Sequence, residues 1–169
     1  MNIKHIDGIE ACVFDAYGTL FDFNSAALAA SDELGGNWQS LSELWRQKQL
    51  QYTWLRGLAG RHADFWRVTG DALDFALATL KLDRPGLRTR LMDLYLHLPI
   101  YPEVAETLRR LRSSGLKTAI LSNGTPAMLA AVVRSSGLDG AFDAILSVEE
   151  VGVFKPHPAV YALACERLQ

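Results

Sequence analysis

Three short apolar segments, each followed at once by a polar turn, constrain the fold of this chain more than any other feature. They are Ala11–Phe14, 117–121 and Ala144–Ser147, and helical periodicity fills the stretch between the second and the third. Strands that alternate with helices form a parallel sheet, because a helical crossover returns the chain in the same direction. The sequence therefore predicts an α/β fold built on a parallel sheet.

Proline and glycine mark the helices on either side of the second strand. Pro102 favours the start of a helix that Gly115 closes just before this strand. After the strand, Thr125 is predicted to cap a helix that has Pro126 in its first position and stops near Gly137. This alternation of helix, strand and helix supports the parallel arrangement.

A long insertion separates the first strand from the rest of the sheet. Residues 24–98 show several amphipathic helical patterns and no convincing strand. We therefore expect a core formed by residues 1–23 and 99–169 and a helical cap formed by residues 24–98. The insertion also holds all four tryptophans, for which packing is the common role and a pocket wall the alternative. These are Trp38, Trp45, Trp54 and Trp66.

Composition and charge argue against several classes of function. The chain has 169 residues, 49% of them hydrophobic, and a formal net charge of -2, which gives no field for attracting nucleic acid or an anionic membrane. No apolar run approaches the roughly 20 residues of a membrane span, and the features of a signal peptide are absent. Cys12 and Cys165 have neither metal-ligand nor disulfide spacing, so the cytoplasm is the expected compartment.

A carboxylate stands where the first strand ends. Asp15 follows the apolar run directly and leads into a tight turn at Gly18 and Thr19. Reacting groups in open α/β sheets gather beyond the carboxyl ends of the strands, so Asp15 is a candidate nucleophile. A carboxylate that only supports the turn or caps a helix is the alternative that these residues leave open.

The other two strands also lead into polar residues. Ser122 and Asn123 precede the start of a helix, whose first N–H groups can bind an anion. Ser122 alone could equally be a turn residue, and the Gly-x-Ser-x-Gly pattern of serine hydrolases does not surround it. Lys155 follows the third strand in a Lys-Pro step. Its ammonium group could stabilise a nearby carboxylate in the charged form, although lone lysines are usually solvated.

These three segments resemble, in the same order, motifs of the haloacid dehalogenase superfamily. Most phosphatases of that superfamily carry a second Asp where this chain has Tyr17, and Asp-x-Tyr-Gly-Thr from Asp15 is typical of the L-2-haloacid dehalogenases. The segment 44–56, which begins Leu-Trp-Arg-Gln-Lys-Gln-Leu, is similar to the cap segment of the same group. The resemblance implies a Rossmann-like core with an inserted helical cap.

The resemblance also implies a displacement that uses neither metal nor cofactor. Asp15 would attack carbon 2 of an L-2-haloalkanoate with inversion, while Arg46 and Asn123 stabilise the departing halide. Periodicity alone would place Arg46 on a solvated helix face. Halide leaves without a proton, so Tyr17 can replace the acid of the phosphatases. Water would then hydrolyse the ester on Asp15 and release a D-2-hydroxy acid.

Further residues are assigned to the substrate by the same resemblance. Ser122 and the backbone N–H groups that follow the nucleophile, at Ala16 and Tyr17, would hold the substrate carboxylate. Leu50 and Phe65 match apolar cap positions around the alkyl chain. Ordinary core packing explains these two residues equally well.

Three residues are assigned to the support of Asp15. Thr19 and Lys155 would orient its carboxylate, and the Tyr161 hydroxyl would support Lys155. The superfamily's fourth motif, which activates the hydrolytic water, does not occur before Gln169. We therefore expect a C-terminally truncated form of the enzyme.

Two other functions remain open at this stage. A phosphatase of the same superfamily would need Mg²⁺ and a proton donor, and the residue at Tyr17 argues against it. A non-catalytic folding or binding module would be compatible with the missing fourth motif. For the dehalogenase the expected partner is a small-molecule 2-haloacid, with no nucleic acid or membrane, and a homodimer is compatible with the sequence.

Overall fold

A three-stranded parallel sheet organises the structure, a computed structural model that describes residues 8–82 and 84–168. The strands are β1 (Ala11–Phe14), β2 (Lys117–Ser122) and β3 (Ala144–Ser147), in the spatial order β1-β2-β3. β1 pairs with β2 from Ala11 opposite Lys117, and β2 ends with Ser122 opposite Ser147 of β3. The predicted α/β class is confirmed, and β2 is one residue longer than predicted. Residues 1–7 and Gln169 of the predicted core, and Asp83 of the predicted cap, lie outside the described residues.

Five α-helices and a short 3₁₀ helix, Gly35–Asn37, fill the described part of the predicted insertion. The α-helices are α1 (Asn24–Ala29), α2 (Ser31–Leu34), α3 (Trp38–Leu58), α4 (Phe65–Leu80) and α5 (Leu87–Tyr95). The long helix α3 packs against α4 through buried side chains that include Leu41, Trp45, Val68 and Leu73. Because the apolar positions recur at helical spacing, each helix buries one face against the others.

The helical segment leaves and returns to the core at one point. The backbone N–H of Asp22 donates to the carbonyl of Pro99 at 2.9 Å, and the N–H of Tyr101 donates to the carbonyl of Leu20 at 3.1 Å. These bonds flank an antiparallel bridge between residues 21 and 100. The two connections are therefore held side by side at the base of the segment.

Three more helices flank the sheet: α6 (Val104–Ser113), α7 (Pro126–Ser135) and α8 (Pro158–Arg167). The hydroxyl of Thr125 accepts a hydrogen bond from the N–H of Met128 at 3.2 Å, so the predicted cap of α7 is confirmed. The helix α6 begins two residues after Pro102 rather than at it. In the described part of the chain, no helix combines the length and apolar character that crossing a membrane requires.

Candidate active site

A tight turn after β1 presents Asp15 at the carboxyl edge of the sheet. The carbonyl of Ala16 accepts hydrogen bonds from the N–H groups of Leu20 and Phe21 at 2.9 and 3.0 Å. Gly18 lies in this turn at φ +91°, a conformation that side chains disfavour. The turn folds back on itself and leaves the Asp15 side chain 39% exposed, so its carboxylate remains open to a substrate.

Lys155, in the loop that follows β3, joins the ends of β1 and β2. Its Nζ lies 3.1 Å from Oδ1 of Asp15 and also donates to the carbonyl of Leu121 at the end of β2. Its backbone N–H donates to Oδ1 of Asn123 at 3.0 Å. An ammonium group so placed stabilises the charge of the Asp15 carboxylate and fixes its direction.

The orientation of Asn123 follows from that last contact. Because its oxygen accepts from Lys155, the Nδ2 end of the amide, which carries two donors, points to the other side. Asn123 also lines the cavity that contains Asp15. Its amide is therefore suited to donate to an anion there.

The turn after β2 is held by two buried serines. Oγ of Ser122 accepts from the N–H of Gly124 at 3.1 Å, and Ser147 donates its hydroxyl to the carbonyl of Gly124 at 2.7 Å. A Cβ atom at position 124 would lie 2.9 Å from Cε2 of Tyr17. Only glycine lets the two turns approach this closely.

Arg46 reaches the site from the middle of α3. Its Nη2 donates to the carbonyl of Tyr17 at 2.8 Å, and its Nη1 donates to Oε1 of Gln49 at 2.8 Å. The guanidinium carbon lies 5.1 Å from the ring centre of Phe23. The position expected to be a solvated face from periodicity alone is thus turned inward, and it brings a fixed positive charge to the site.

Tyr17 forms an aromatic wall. Its ring stacks on Tyr95 with centres 5.3 Å apart and lies 6.0 Å from the ring of Phe65. Only 3% of Tyr17 is exposed, and its hydroxyl has no partner among the described residues. Burial raises the pKa of Tyr17 well above its ordinary value, and the nearby Tyr95 and Asp15 raise it further. Tyr17 is therefore a neutral O–H group at physiological pH.

These side chains meet in one cavity of about 280 Å³. It combines a carboxylate, two cationic groups and an apolar wall, and its size suits a small organic acid. The residues that line it are Asp15, Tyr17, Arg46, Leu50, Trp54, Phe65, Ser122, Asn123, Lys155 and Pro156.

Comparison with known proteins agrees with the geometry of this cavity. The family model of haloacid dehalogenase-like hydrolases matches residues 9–169. (S)-2-haloacid dehalogenase 4A of Burkholderia cepacia is 50% identical over 164 residues, which are 96% of this chain and 71% of that protein. The chain belongs to the haloacid dehalogenase-like hydrolases, in the group of the (S)-2-haloacid dehalogenases.

Solved structures show the same family fold. A dehalogenase crystal structure matches with a TM-score of 0.94 at 50% identity, covering 97% of this chain and 73% of that one. The L-2-haloacid dehalogenase from Xanthobacter autotrophicus, solved with chloropropionic acid covalently bound, matches with a TM-score of 0.86 at 48% identity, covering 94% of this chain and 64% of that one. The Rossmann-like core with a helical cap is thereby confirmed for this haloacid dehalogenase-like chain.

Most of the predicted site residues of this haloacid dehalogenase-like chain line the cavity, and three do not. Ala16 is buried beneath the turn. Thr19 is exposed, and its backbone N–H donates to the carbonyl of Ala16 at 3.3 Å. Tyr161 lies on α8 with 49% of its surface exposed. The roles expected for these three residues, like those for the residues that line the cavity, stay predictions.

Further residues contribute to the dehalogenase-like site. Trp54 follows Leu50 by one helical turn and lines the cavity, which favours for this tryptophan the pocket-wall role that the sequence left open. Ser147 and Gln49 act through contacts with residues distant in the chain. No sequence pattern marks contacts of that kind.

Proposed function

We propose that this protein is an (S)-2-haloacid dehalogenase that hydrolyses L-2-haloalkanoic acids to D-2-hydroxy acids and halide. The observation that carries the proposal is the Asp15–Lys155 pair, joined at 3.1 Å in the same cavity as Arg46. A charged carboxylate is a nucleophile, and a fixed guanidinium can receive an anion. The relatives' names support the same reaction.

In the first step, an Asp15 carboxylate oxygen attacks carbon 2 of the substrate from the side opposite the halogen. The new C–O bond forms as the C–X bond breaks, and the halide leaves with the bonding electrons, so the configuration inverts. Arg46 and the Nδ2 group of Asn123 stabilise the negative charge that develops on the halogen. Because this charge is largest late in the reaction, their interaction favours the transition state over the substrate.

In the second step, water attacks the carbonyl carbon of the Asp15 ester. The D-2-hydroxy acid leaves, the Asp15 carboxylate re-forms, and one proton is released to solvent. Lys155 remains beside the carboxylate and stabilises its returning charge. The covalently bound chloropropionic acid of the Xanthobacter autotrophicus relative supports an ester intermediate.

The lining of the cavity also supports the assignment of different residues to different parts of the substrate. Ser122 and the backbone N–H groups after Asp15 bind the substrate carboxylate, and Leu50 and Phe65 contact its alkyl chain. The helical segment 24–98 acts as a cap on a core of residues 1–23 and 99–169. Thus the core supplies the nucleophile and Asn123, whereas the cap supplies Arg46 for the halide and the apolar contacts for the alkyl chain.

The phosphatase alternative is less well supported. It would place an acid where the ring of Tyr17 stacks on Tyr95 and contacts Phe65. A buried, neutral phenol with a raised pKa is a poor Mg²⁺ ligand, because hard cations prefer charged oxygen. Hydrolysis of p-nitrophenyl phosphate that depends on Mg²⁺ would favour this alternative.

Isotope labelling tests the proposal directly. In a single turnover of L-2-chloropropionate in ¹⁸O-labelled water, we expect the label in the Asp15 carboxylate and an unlabelled first product. Mass spectrometry of the peptide that contains Asp15 measures the ¹⁸O incorporated into its carboxylate. The control is Asp15→Ala, which should release no halide. Label found directly in the first product would mean that water attacks the substrate, and Asp15 would lose its role as nucleophile.

A further inference from the structure

A buried polar network contacts Arg46, and its members are not among the residues that line the substrate cavity. Its members are Gln49, Thr69 and Tyr95, which are only 1%, 0% and 3% exposed. Nε2 of Gln49 donates to the Thr69 hydroxyl at 2.8 Å and lies 3.1 Å from the Tyr95 hydroxyl. Burial of polar groups lowers the stability of a fold unless these groups are hydrogen-bonded. The presence of such a network in the interior therefore calls for an explanation.

The hydrogen-bond donors fix the direction of the Gln49 amide. Arg46 can only donate, so Oε1 of Gln49 must face its Nη1, at 2.8 Å. The Thr69 hydroxyl donates to the carbonyl of Phe65 at 2.7 Å and therefore accepts from Nε2 of Gln49. Neither end of the amide can be exchanged without leaving a buried donor unpaired.

The network connects three walls of the cavity. Gln49 holds Arg46, Thr69 holds the backbone of Phe65, and the ring of Tyr95 stacks on Tyr17. The indole N–H of Trp45 adds a bond of 2.8 Å to the carbonyl of Thr69. The helices α3, α4 and α5 are thus joined at the level of the guanidinium.

We propose that Gln49 is a positioning residue that fixes the Arg46 guanidinium for the leaving halide. The inference rests on the proposed dehalogenase function, in which Arg46 receives the halide. Gln49 and the carbonyl of Tyr17 hold one N–H group each on Nη1 and Nη2, so the guanidinium plane is set before a substrate binds. A halide ion has no directional lone pairs, so the donors must already be aimed at it. Donors fixed in advance need no reorganisation when the charge develops.

Two substitutions at Gln49 separate this role from simple packing. Gln49→Met keeps the length of the side chain but removes the acceptor for Arg46. Gln49→Glu keeps the acceptor and adds a negative charge that opposes a halide. Gln51→Glu is the matched control, because Gln51 lies on the exposed face of the same helix, where it bonds only Lys48 among the described residues.

The kinetic test compares two leaving groups. With Gln49→Met, we expect kcat for L-2-chloropropionate to fall about tenfold, the scale of one lost charge-assisted hydrogen bond. The fall should be smaller for L-2-bromopropionate, because bromide is the better leaving group. KM should change little for either. Gln49→Glu should raise the inhibition constant of bromide about tenfold, because the added negative charge opposes the halide. Gln51→Glu should leave this inhibition constant unchanged. If Gln49→Met lowered kcat equally for both substrates and also lowered the melting temperature, Gln49 would serve only packing.

A second measurement does not depend on turnover. In ¹⁵N NMR spectra, slow rotation of the Arg46 guanidinium should be seen in the protein and in Gln49→Glu and lost in Gln49→Met. If the protein released no halide from either substrate while this pattern held, the proposed function would fail and the positioning role would stand. Unchanged rotation in Gln49→Met would overturn the positioning role whatever the activity.

Discussion

Asp15 and Lys155 are separated by 140 positions in the sequence, and the fold brings their charged groups to within 3.1 Å. Lys155 is also held by the carbonyl of Leu121 and by the side chain of Asn123, neither of which depends on Asp15. The position of the Lys155 ammonium group therefore does not depend on the Asp15 carboxylate. Removal of Asp15 should accordingly abolish the chemistry without displacing its partner.

Gly124 controls the spacing between the turns after β1 and β2. In Gly124→Ala, the new Cβ would lie 2.9 Å from Tyr17 and 3.1 Å from Leu129. We expect a loss of about 1–3 kcal/mol in the free energy of unfolding, the usual range for overpacking. We also expect a lower kcat/KM, because the Tyr17 ring must move. Urea denaturation and steady-state kinetics measure the two effects.

Gly57→Ala is the matched control for that substitution. Gly57 lies within α3, and a Cβ there would meet nothing within 4 Å. Alanine should stabilise the helix by about 0.5–1 kcal/mol, because glycine loses more backbone entropy on folding. Equal stability of Gly124→Ala and the unsubstituted protein would show that the turns can separate freely.

At the level of elements, the turn after β3 supports the start of α4. Oε1 of Glu149 accepts from the N–H of Phe65 at 3.3 Å, and its Oε2 lies 2.9 Å from Nε2 of His62. A carboxylate at a helix N-terminus is stabilised by the unpaired N–H groups and by the helix dipole. Since Phe65 lines the cavity, this contact couples the sheet edge to the apolar wall.

Glu149→Gln tests that coupling. Loss of the charge should lower the free energy of unfolding by about 0.3–1 kcal/mol, the range for a charge at a helix end, and should raise KM because Phe65 is less firmly held. Thermal denaturation and kinetics provide the measurements. Glu150→Gln is the control, because Glu150 pairs with Arg167 at the surface, where ion pairs contribute little. Indistinguishable effects of the two substitutions would show that the helix start needs no support from Glu149.

The elements also show what a sequence pattern can and cannot predict. The strands were predictable because an apolar run and its polar turn are local signals, as the cap at Thr125 is. The network that holds Gln49 was not, because Gln49, three residues after Arg46 on α3, meets Tyr95 across 46 positions only when α3 and α5 pack. Periodicity describes which face of a helix is buried, whereas the side chain that it meets depends on how the helices cross. The resemblance to relatives indicated Arg46, but neither signal indicated its support.

At the scale of the whole molecule, the part of the chain that the structure describes has a sheet with an open edge. Within the described residues, β1 pairs with β2 alone, and Val13 in this strand is 42% exposed. A strand edge with unpaired backbone groups and apolar side chains can pair with another chain.

We therefore predict that the 169-residue chain self-associates as its concentration rises, and that Val13→Lys reduces this association, because a lysine on an edge strand opposes pairing. Analytical ultracentrifugation over a dilution series measures it. Leu58→Lys is the control, because Leu58 is 89% exposed on α3, away from the strand edge. If Leu58→Lys reduced self-association more than Val13→Lys did, the association surface would lie on the helical segment and not on β1.

The joined base of the helical segment has a consequence for how such a protein can diversify. The chain leaves the core and returns to it through adjacent backbone bonds near Phe21 and Ile100. The bonds that hold this base join backbone atoms, so they do not depend on the side chains of the segment between them. The contributions of this segment to leaving-group preference and to tolerance for longer side chains would then be inherited together, while Asp15 and Lys155 stay constant.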